Sequence, residues 1–262
     1  PLPVKQTLRL GVYQLIYMRE SVSASAIIDG SQAMAKEFGH DGIVSLVNAT
    51  LRSVQEHRDN IIFPDEKLSI VKHLNIACSH PEWLVRRWIT QYGLGDTRAL
   101  CELNNRPALV CLRVNTLQAT RDALTTRLIQ SALAYRFGTV PEAVWLEDPL
   151  DLDTFAPLQE GWCHVQDEAA QWIAHLLAPR PGEAILDACA APGGMTTHLA
   201  ALMQNQGRVL AMDDVPHKMN ALRENCERLG VANVEFEVTD PRQAGARFPR
   251  TFDRALLDAP CS

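Results

Sequence analysis

No apolar run in these 262 residues approaches the length of a membrane-spanning helix, and no basic stretch followed by an apolar one opens the chain. Neither a spanning segment nor a secretory leader is therefore expected in it. Nor does any C-x-x-C pair occur. Cys78, Cys101, Cys111, Cys163, Cys189, Cys226 and Cys261 are scattered and odd in number. That pattern argues against a disulfide framework and against a zinc site, so no metal is expected and a reducing, cytoplasmic setting is. Internal repeats and low-complexity tracts are missing as well. The first residue is Pro1 rather than methionine, from which the N-terminus is expected not to be the gene's own.

What is present is ample core material, 47% hydrophobic, with an uneven charge. Residues 1–60 carry six basic and six acidic side chains, residues 61–140 ten and six, and residues 141–262 nine and nineteen. A basic middle beside an acidic end suits a polyanion-binding module joined to a domain for a cationic or neutral ligand; a solvated surface with drifting charge gives the same count.

The hydrophobic period divides the chain in three. Residues 1–60 read as three short amphipathic helices: Leu8, Val12, Leu15 and Ile16 share one face, and Ile43, Leu46, Val47, Leu51 and Val54 another. Pro64 marks a boundary. Residues 61–154 read as a small mixed α/β module, with a helix in "EWLVRRWITQYG", a buried strand in "ALVCLRV", a helix capped by Thr120 and a short strand in "AVWLEDP". From about residue 155 strand and helix alternate. Strands are expected at 183–189, 208–214, 234–240 and 252–260, and helices at 196–204 and 217–230. This rhythm predicts a parallel, Rossmann-like sheet with its ligand at the carboxyl ends of the strands.

The sharpest feature is "LDACAAPGGMTTHLA". A strand ends, a loop of small residues turns, and a helix begins near Thr196; Gly193 and Gly194 would let backbone approach a ligand closely. The loop lacks the G-x-G-x-x-G of a dinucleotide pyrophosphate cradle, which disfavours a nucleotide-linked oxidoreductase. A plain strand-to-helix turn remains a competing reading. The other strand ends add acids. Asp213 lies nineteen residues after Gly194, where a ribose-gripping carboxylate belongs, and Asp187, Asp240 and Asp258 close the other strands. Four acids without a basic partner suit a ligand with ribose hydroxyls, an exocyclic amine and a positive sulfonium. S-adenosylmethionine fits that description.

Together "VQDEAAQWIAHLL", "LDACAAPGGMTTHLA" and "LLDAPCS" resemble the RNA cytosine-5 methyltransferases of the Fmu/Sun type. "SHPEWLVRRW" and "NNRPALVCLRVNTL" resemble the pre-catalytic module of the bacterial branch acting on small-subunit ribosomal RNA, and the opening helices the end of its NusB-like domain. The resemblance covers essentially the whole chain. It implies a NusB-like segment over 1–60, an RNA-binding or linker module over 61–154 and the first part of a methyltransferase domain over 155–262. It also implies that S-adenosylmethionine is contacted by Cys189, Ala190, Ala191, Pro192, Gly193, Gly194 and Met195, and by Asp213, Asp240 and Asp258. The family usually has lysine where this chain has Met195, which removes a charge there and leaves a side chain able to pack.

In this family a cysteine thiolate adds to cytosine C6, and the enamine so formed attacks the methyl group. The resemblance assigns Asp258 to the acid beside N3 and Cys261 to product release, with the attacking thiol in a "TCS" motif. No "TCS" occurs in these residues, so the chain is expected to be a fragment that is itself inactive. The alternative is a non-catalytic protein, probing RNA or a partner with a shortened methyltransferase fold. Small-subunit ribosomal RNA is the expected partner, and a monomer the expected state. Cys78, Cys101, Cys111, Cys163, Cys189 and Cys226 read as small hydrophobes, and His164 and His198 as structural. Trp83, Arg86, Arg87 and Trp88 fit either an RNA-stacking patch or a core stripe with a solvated edge.

Overall fold

The three apolar stripes of the opening sequence form three helices: α1 (Leu2–Tyr17), α2 (Ala24–Phe38) and α3 (Asp41–His57). The computed structural model describes residues 2–259. Ser23 caps α2 by accepting from the Ala26 amide, and His40 Nδ1 accepts from Gly42 at the start of α3. Val4, Leu15, Ile27, Ile28, Ala35, Val47 and Leu51 interlock as their shared core. α4 (Ile70–Ala77) and α5 (Glu82–Asn104) follow, completing a helical unit that ends at Arg106. Two differences from the sequence pattern appear here. The eight residues of α4 were not anticipated, and α5 runs past Gly93 instead of stopping there. Gly93 has φ +82°, so the helix kinks at a conformation glycine tolerates and then resumes.

The second unit, from Pro107 onward, contains two sheets. The elements of its first part are β1 (Cys111–Val114), α6 (Arg121–Gln130), β2 (Tyr135–Phe137), β3 (Ala143–Leu146), α7 (Ala156–Gln159), β4 (Cys163–Val165) and α8 (Glu168–Leu177). Thr120 caps α6 through its hydroxyl, as its position suggested. The strands pair antiparallel in the order β2-β3-β1-β4. β4 thus lies past residue 155 yet belongs to this small sheet, registering Leu112 against Val165. The alternating rhythm begins one element later than the sequence pattern placed it. One face of β1 puts Leu112 and Val114 into a core with Leu124, Leu128, Val144, Leu146, Phe155 and Cys163. Its other face is also buried and carries Arg113.

The second sheet is parallel, built from β5 (Ala184–Ala188), α9 (Gly194–Leu202), β6 (Arg208–Asp213), α10 (Pro216–Leu229), β7 (Val234–Val238), α11 (Ala244–Arg247) and β8 (Arg254–Leu257). Its order is β7-β6-β5-β8. The chain winds outward through β6 and β7, then returns to the far side of β5. That reversal lies between β5 and β8, and ligands of open parallel sheets bind at the carboxyl ends beside such a point. Ile185, Leu199, Met203 and Val209 fill one face of the sheet, and Leu186, Leu210, Met212 and Ala244 the other. α10 ends on Gly230 in the left-handed conformation, as the sequence implied.

The two sheets are stitched by a buried and a half-buried side chain that bond chiefly to backbone carbonyls. Asn115 donates to the Gly161 and Leu229 carbonyls at 2.7 and 2.8 Å. Arg228 of α10 donates to the Leu158 and Cys163 carbonyls and to His164 Nδ1 at 2.6, 3.2 and 3.1 Å. No helix among the described residues is long and apolar enough to cross a membrane.

Candidate active site

Residues 189–193 make the turn from β5 into α9. The Ala190 amide donates to the Met212 carbonyl at 2.9 Å and the Gly193 amide to the Ala190 carbonyl at 2.8 Å. The Ala191–Pro192 peptide is cis. Cys189 has φ +65° and Gly193 φ +104°. The two glycines have separate roles. A Cβ on Gly193 would lie 2.9 Å from Leu222 Cγ, whereas one on Gly194 would meet nothing nearer than His164 Nε2 at 3.6 Å. Gly193 serves the turn, and Gly194 leaves space on the ligand side.

Two clefts flank this loop. The larger, about 590 Å³, is lined by Cys189, Ala191, Asp213, Asp240, Asp258 and neighbouring residues of the β6–α10 and β7–α11 turns. The smaller, about 240 Å³, runs along His164, Gln166, Asp187, Gly194 and Met195. Cys189, Ala191 and Asp258 border both. Asp258 therefore stands where a group held in one cleft would meet a group held in the other.

The acids differ from one another more than their common position suggests. Asp213 Oδ2 accepts from the Ala191 amide at 3.2 Å and Oδ1 from the Val215 amide at 3.0 Å. One carboxylate thus fixes the loop after β5 and the start of α10, and keeps spare lone pairs for a ligand. Asp187 is not at the strand's end. It lies within β5, fully buried, accepting from Thr196 Oγ1 at 2.6 Å. Burial, with Asp258 and Asp213 nearby, pushes its carboxyl up to about 7 against the pull of the Thr196 hydrogen bond. Its Oδ1 has no partner among the described residues.

Asp240 lies two residues beyond β7, where it caps a 3-10 turn over Pro241–Gln243. It is also gripped by Arg242, whose Nε and Nη2 reach its oxygens at 2.9 and 2.6 Å and hold its carboxyl below the usual range. The expectation of acids without a basic partner is corrected here, because Arg242 and Lys218 both line the larger cleft. The turn bends Arg242 back onto an acid only two positions away.

Several residues of the site carried no recognised signal in the sequence. Arg113, fully buried on β1, donates to Gln166 Oε1, to the Gly194 carbonyl at 2.5 Å and to Thr197 Oγ1 at 2.9 Å. It clamps the start of α9 from the neighbouring sheet. Gln166 in turn donates to Met195 Sδ at 3.1 Å. Met195 packs with Leu199 and Ile185, so an apolar side chain occupies this position as a core residue that also borders the smaller cleft. His164 is held neutral, its imidazole pushed down to about 3 by burial and then by Arg113 and Arg228. Burial raises the Cys189 thiol, which disfavours the reactive thiolate. Cys261 lies outside the described residues.

In the helical unit, Trp83, Arg86 and Arg87 are exposed on α5. Trp88 is half-buried against His80, with ring centroids 5.4 Å apart. Arg86 is paired with Glu82 one turn back at 3.2 Å.

Three family models match the chain. Residues 174–262 match 16S rRNA methyltransferase RsmB/F, residues 80–153 the RsmF/B-like ferredoxin-like domain and residues 2–56 the NusB family. Among curated proteins, the chain is 38% identical over 261 residues to the probable ribosomal RNA small subunit methyltransferase B of Bacillus subtilis (strain 168), covering 99% of this chain and 58% of that protein. Its counterpart in Synechocystis sp. is 35% identical, covering 100% of this chain and 59% of its own length. The chain therefore spans rather more than half the length of these relatives. Among solved structures, a methyltransferase homologue from Pyrococcus horikoshii superposes with a TM-score of 0.67 at 28% identity, covering 74% of this chain and 64% of the other.

Proposed function

The chain belongs to the RsmB/F family of 16S rRNA methyltransferases, and from that premise we propose that the protein methylates cytosine C5 in small-subunit ribosomal RNA. S-adenosylmethionine would be the methyl donor and the cytoplasm the setting. The observation that carries the reading is the position of Asp258, bordering two clefts that meet at the switch point of a parallel sheet. The larger cleft fits the cofactor. Asp213 and Asp240 line it and offer acceptors for hydroxyl and amine groups, while Gly194 leaves space in the smaller cleft beside it. When bound, S-adenosylmethionine supplies an electrophilic methyl group on a positive sulfonium.

The chain's own residues then have distinct roles. The loop from Cys189 through Ala190, Ala191, Pro192, Gly193 and Gly194 to Met195 shapes the wall between the clefts. Asp213 orients the cofactor from the end of β6, and Asp240 does so from the turn after β7. Asp258 stands beside cytosine N3, stabilising the charge that develops when the ring is attacked at C6. Cys261 serves product release, and the attacking thiol belongs to a TCS motif, a sequence these 262 residues do not contain. α5 presents the exposed Arg86 and Arg87 to the RNA.

Trapping on RNA bearing 5-fluorocytosine tests the assignment in the whole protein. The covalent adduct should persist in Cys261→Ala and vanish when a TCS cysteine is replaced; the reverse pattern overturns it. These 262 residues alone should form no adduct.

A further inference from the structure

Outside the two clefts, one cluster of side chains has the composition of a metal site. We propose that Glu142, His175 and His198 bind a divalent cation of the zinc class, with two imidazoles and a carboxylate as ligands. The three residues come from separate elements: Glu142 from the turn before β3, His175 from α8 and His198 from α9. One donor atom from each lies within 4.8 Å of the other two. Their rings and carboxylate already converge, since His175 Nε2 is 2.8 Å from Glu142 Oε2 and the two imidazoles stand edge to face with centroids 5.4 Å apart.

The second observation concerns His198 itself. It is 1% exposed, and neither ring nitrogen has a hydrogen-bond partner among the described residues. A neutral imidazole carries one N–H and one lone pair, and buried polar groups are nearly always satisfied. A cation held between His198, His175 and Glu142 would use that lone pair. Imidazole–zinc bonds are about 2.0–2.1 Å, so the His198 nitrogen would draw in by roughly an ångström while the His175–Glu142 hydrogen bond gives way to the ion. His175 is partly exposed, with 25% of its side chain accessible, which provides an entry path, and water would fill the fourth position. Glu142 offsets part of the cation's charge, while Arg113 works against it. The site is therefore weaker than a closed cysteine-rich zinc centre.

Such a cation would tie the small sheet, through Glu142, to the helix that opens at the cofactor loop. The sequence offered no hint of this, because the three ligands are separated by 33 and 23 positions and share no spacing motif.

Cobalt(II) titration of the tag-free, chelator-treated chain tests the proposal by visible absorption. One equivalent should bind with the intense bands of a four-coordinate ion and without a thiolate charge-transfer band, and Zn²⁺ should displace it and raise the melting temperature. His175→Ala and His198→Leu should each weaken binding at least tenfold. Should His198→Leu fail to fold, His175→Ala, at the partly exposed ligand, and Glu142→Gln decide the matter. No binding by the wild-type chain, or equal binding by the folded variants, overturns the site.

Discussion

Replacing Gly193 and Gly194 by alanine, one at a time, should give opposite kinds of defect from adjacent positions. Gly193 has φ +104° and ψ 7°, and its new methyl group would sit 2.9 Å from Leu222 Cγ. Holding a residue with a Cβ in such a conformation costs about 1–3 kcal/mol, and Leu222 is fully buried and has little room to yield. Gly194 is not in the left-handed region, lies at the first position of α9, and its methyl group would have 3.6 Å to the nearest side chain. Alanine at a compatible position stabilises by about 0.4–1 kcal/mol through the unfolded chain. The two variants should therefore differ by about 1–4 kcal/mol. At roughly 2–4 °C per kcal/mol for a domain of this size, Gly193→Ala should melt several degrees below wild type and Gly194→Ala at or slightly above it. Differential scanning calorimetry reads this directly. A ligand in the smaller cleft should be weakened by Gly194→Ala even though the fold is intact, because Gly194 lines that cleft. Equal melting temperatures, or the larger loss at Gly194, would refute the division of labour.

Acid should destabilise the second unit with a defined slope. His164 and His198 have depressed folded pKa values, so each contributes stability above about pH 6.5 that is lost as pH falls. Asp187, raised to about 7, acts oppositely, stabilising at low pH and less so as pH rises through 7. Between about pH 6.5 and 4.5 up to two protons are taken up and one released on unfolding, a net loss of at most about 1.4 kcal/mol per pH unit lowered; urea unfolding of the chain across that range should show stability falling with pH, and a flat profile would contradict it. Arg242→Ala should change stability by less than about 1 kcal/mol, because the Arg242 side chain is 90% exposed and its pair with Asp240 is a surface bridge; a larger loss in denaturation would give the pair a structural role. If α5 touches RNA, affinity for a structured RNA should fall steeply with salt, and charge reversal at Arg86 and Arg87 should flatten the slope in a filter-binding series.

The helices of the first unit were legible because their stripes are long enough to repeat: Leu8, Val12 and Leu15 face the core as their spacing required, and so do Val47 and Leu51. The parallel strands were legible as apolar runs ending on acids. What escaped were elements too short for a period to show, the three-residue β2 and β4 and the eight-residue α4. α5 escaped in part because a glycine inside a helical pattern reads as a stop, whereas here Gly93 only kinks it. The strand-end acids were found by position, yet their environments were not. Asp187 is one residue short of the strand's end and becomes a buried acid, while Asp240 acquires Arg242 through a turn that spacing does not reveal. Arg113 and Gln166 entered the site only because β1 and β4 pack against α9, a tertiary fact without a local sequence signature.

Isothermal titration of the chain with S-adenosylmethionine tests the central assignment most directly. Wild-type protein should bind one equivalent, and Asp213→Ala should bind at least tenfold more weakly, because this carboxylate both faces the larger cleft and fixes the Ala191 and Val215 amides that shape it. Equal affinity of the two proteins, or tighter binding of NAD than of S-adenosylmethionine, would contradict the account.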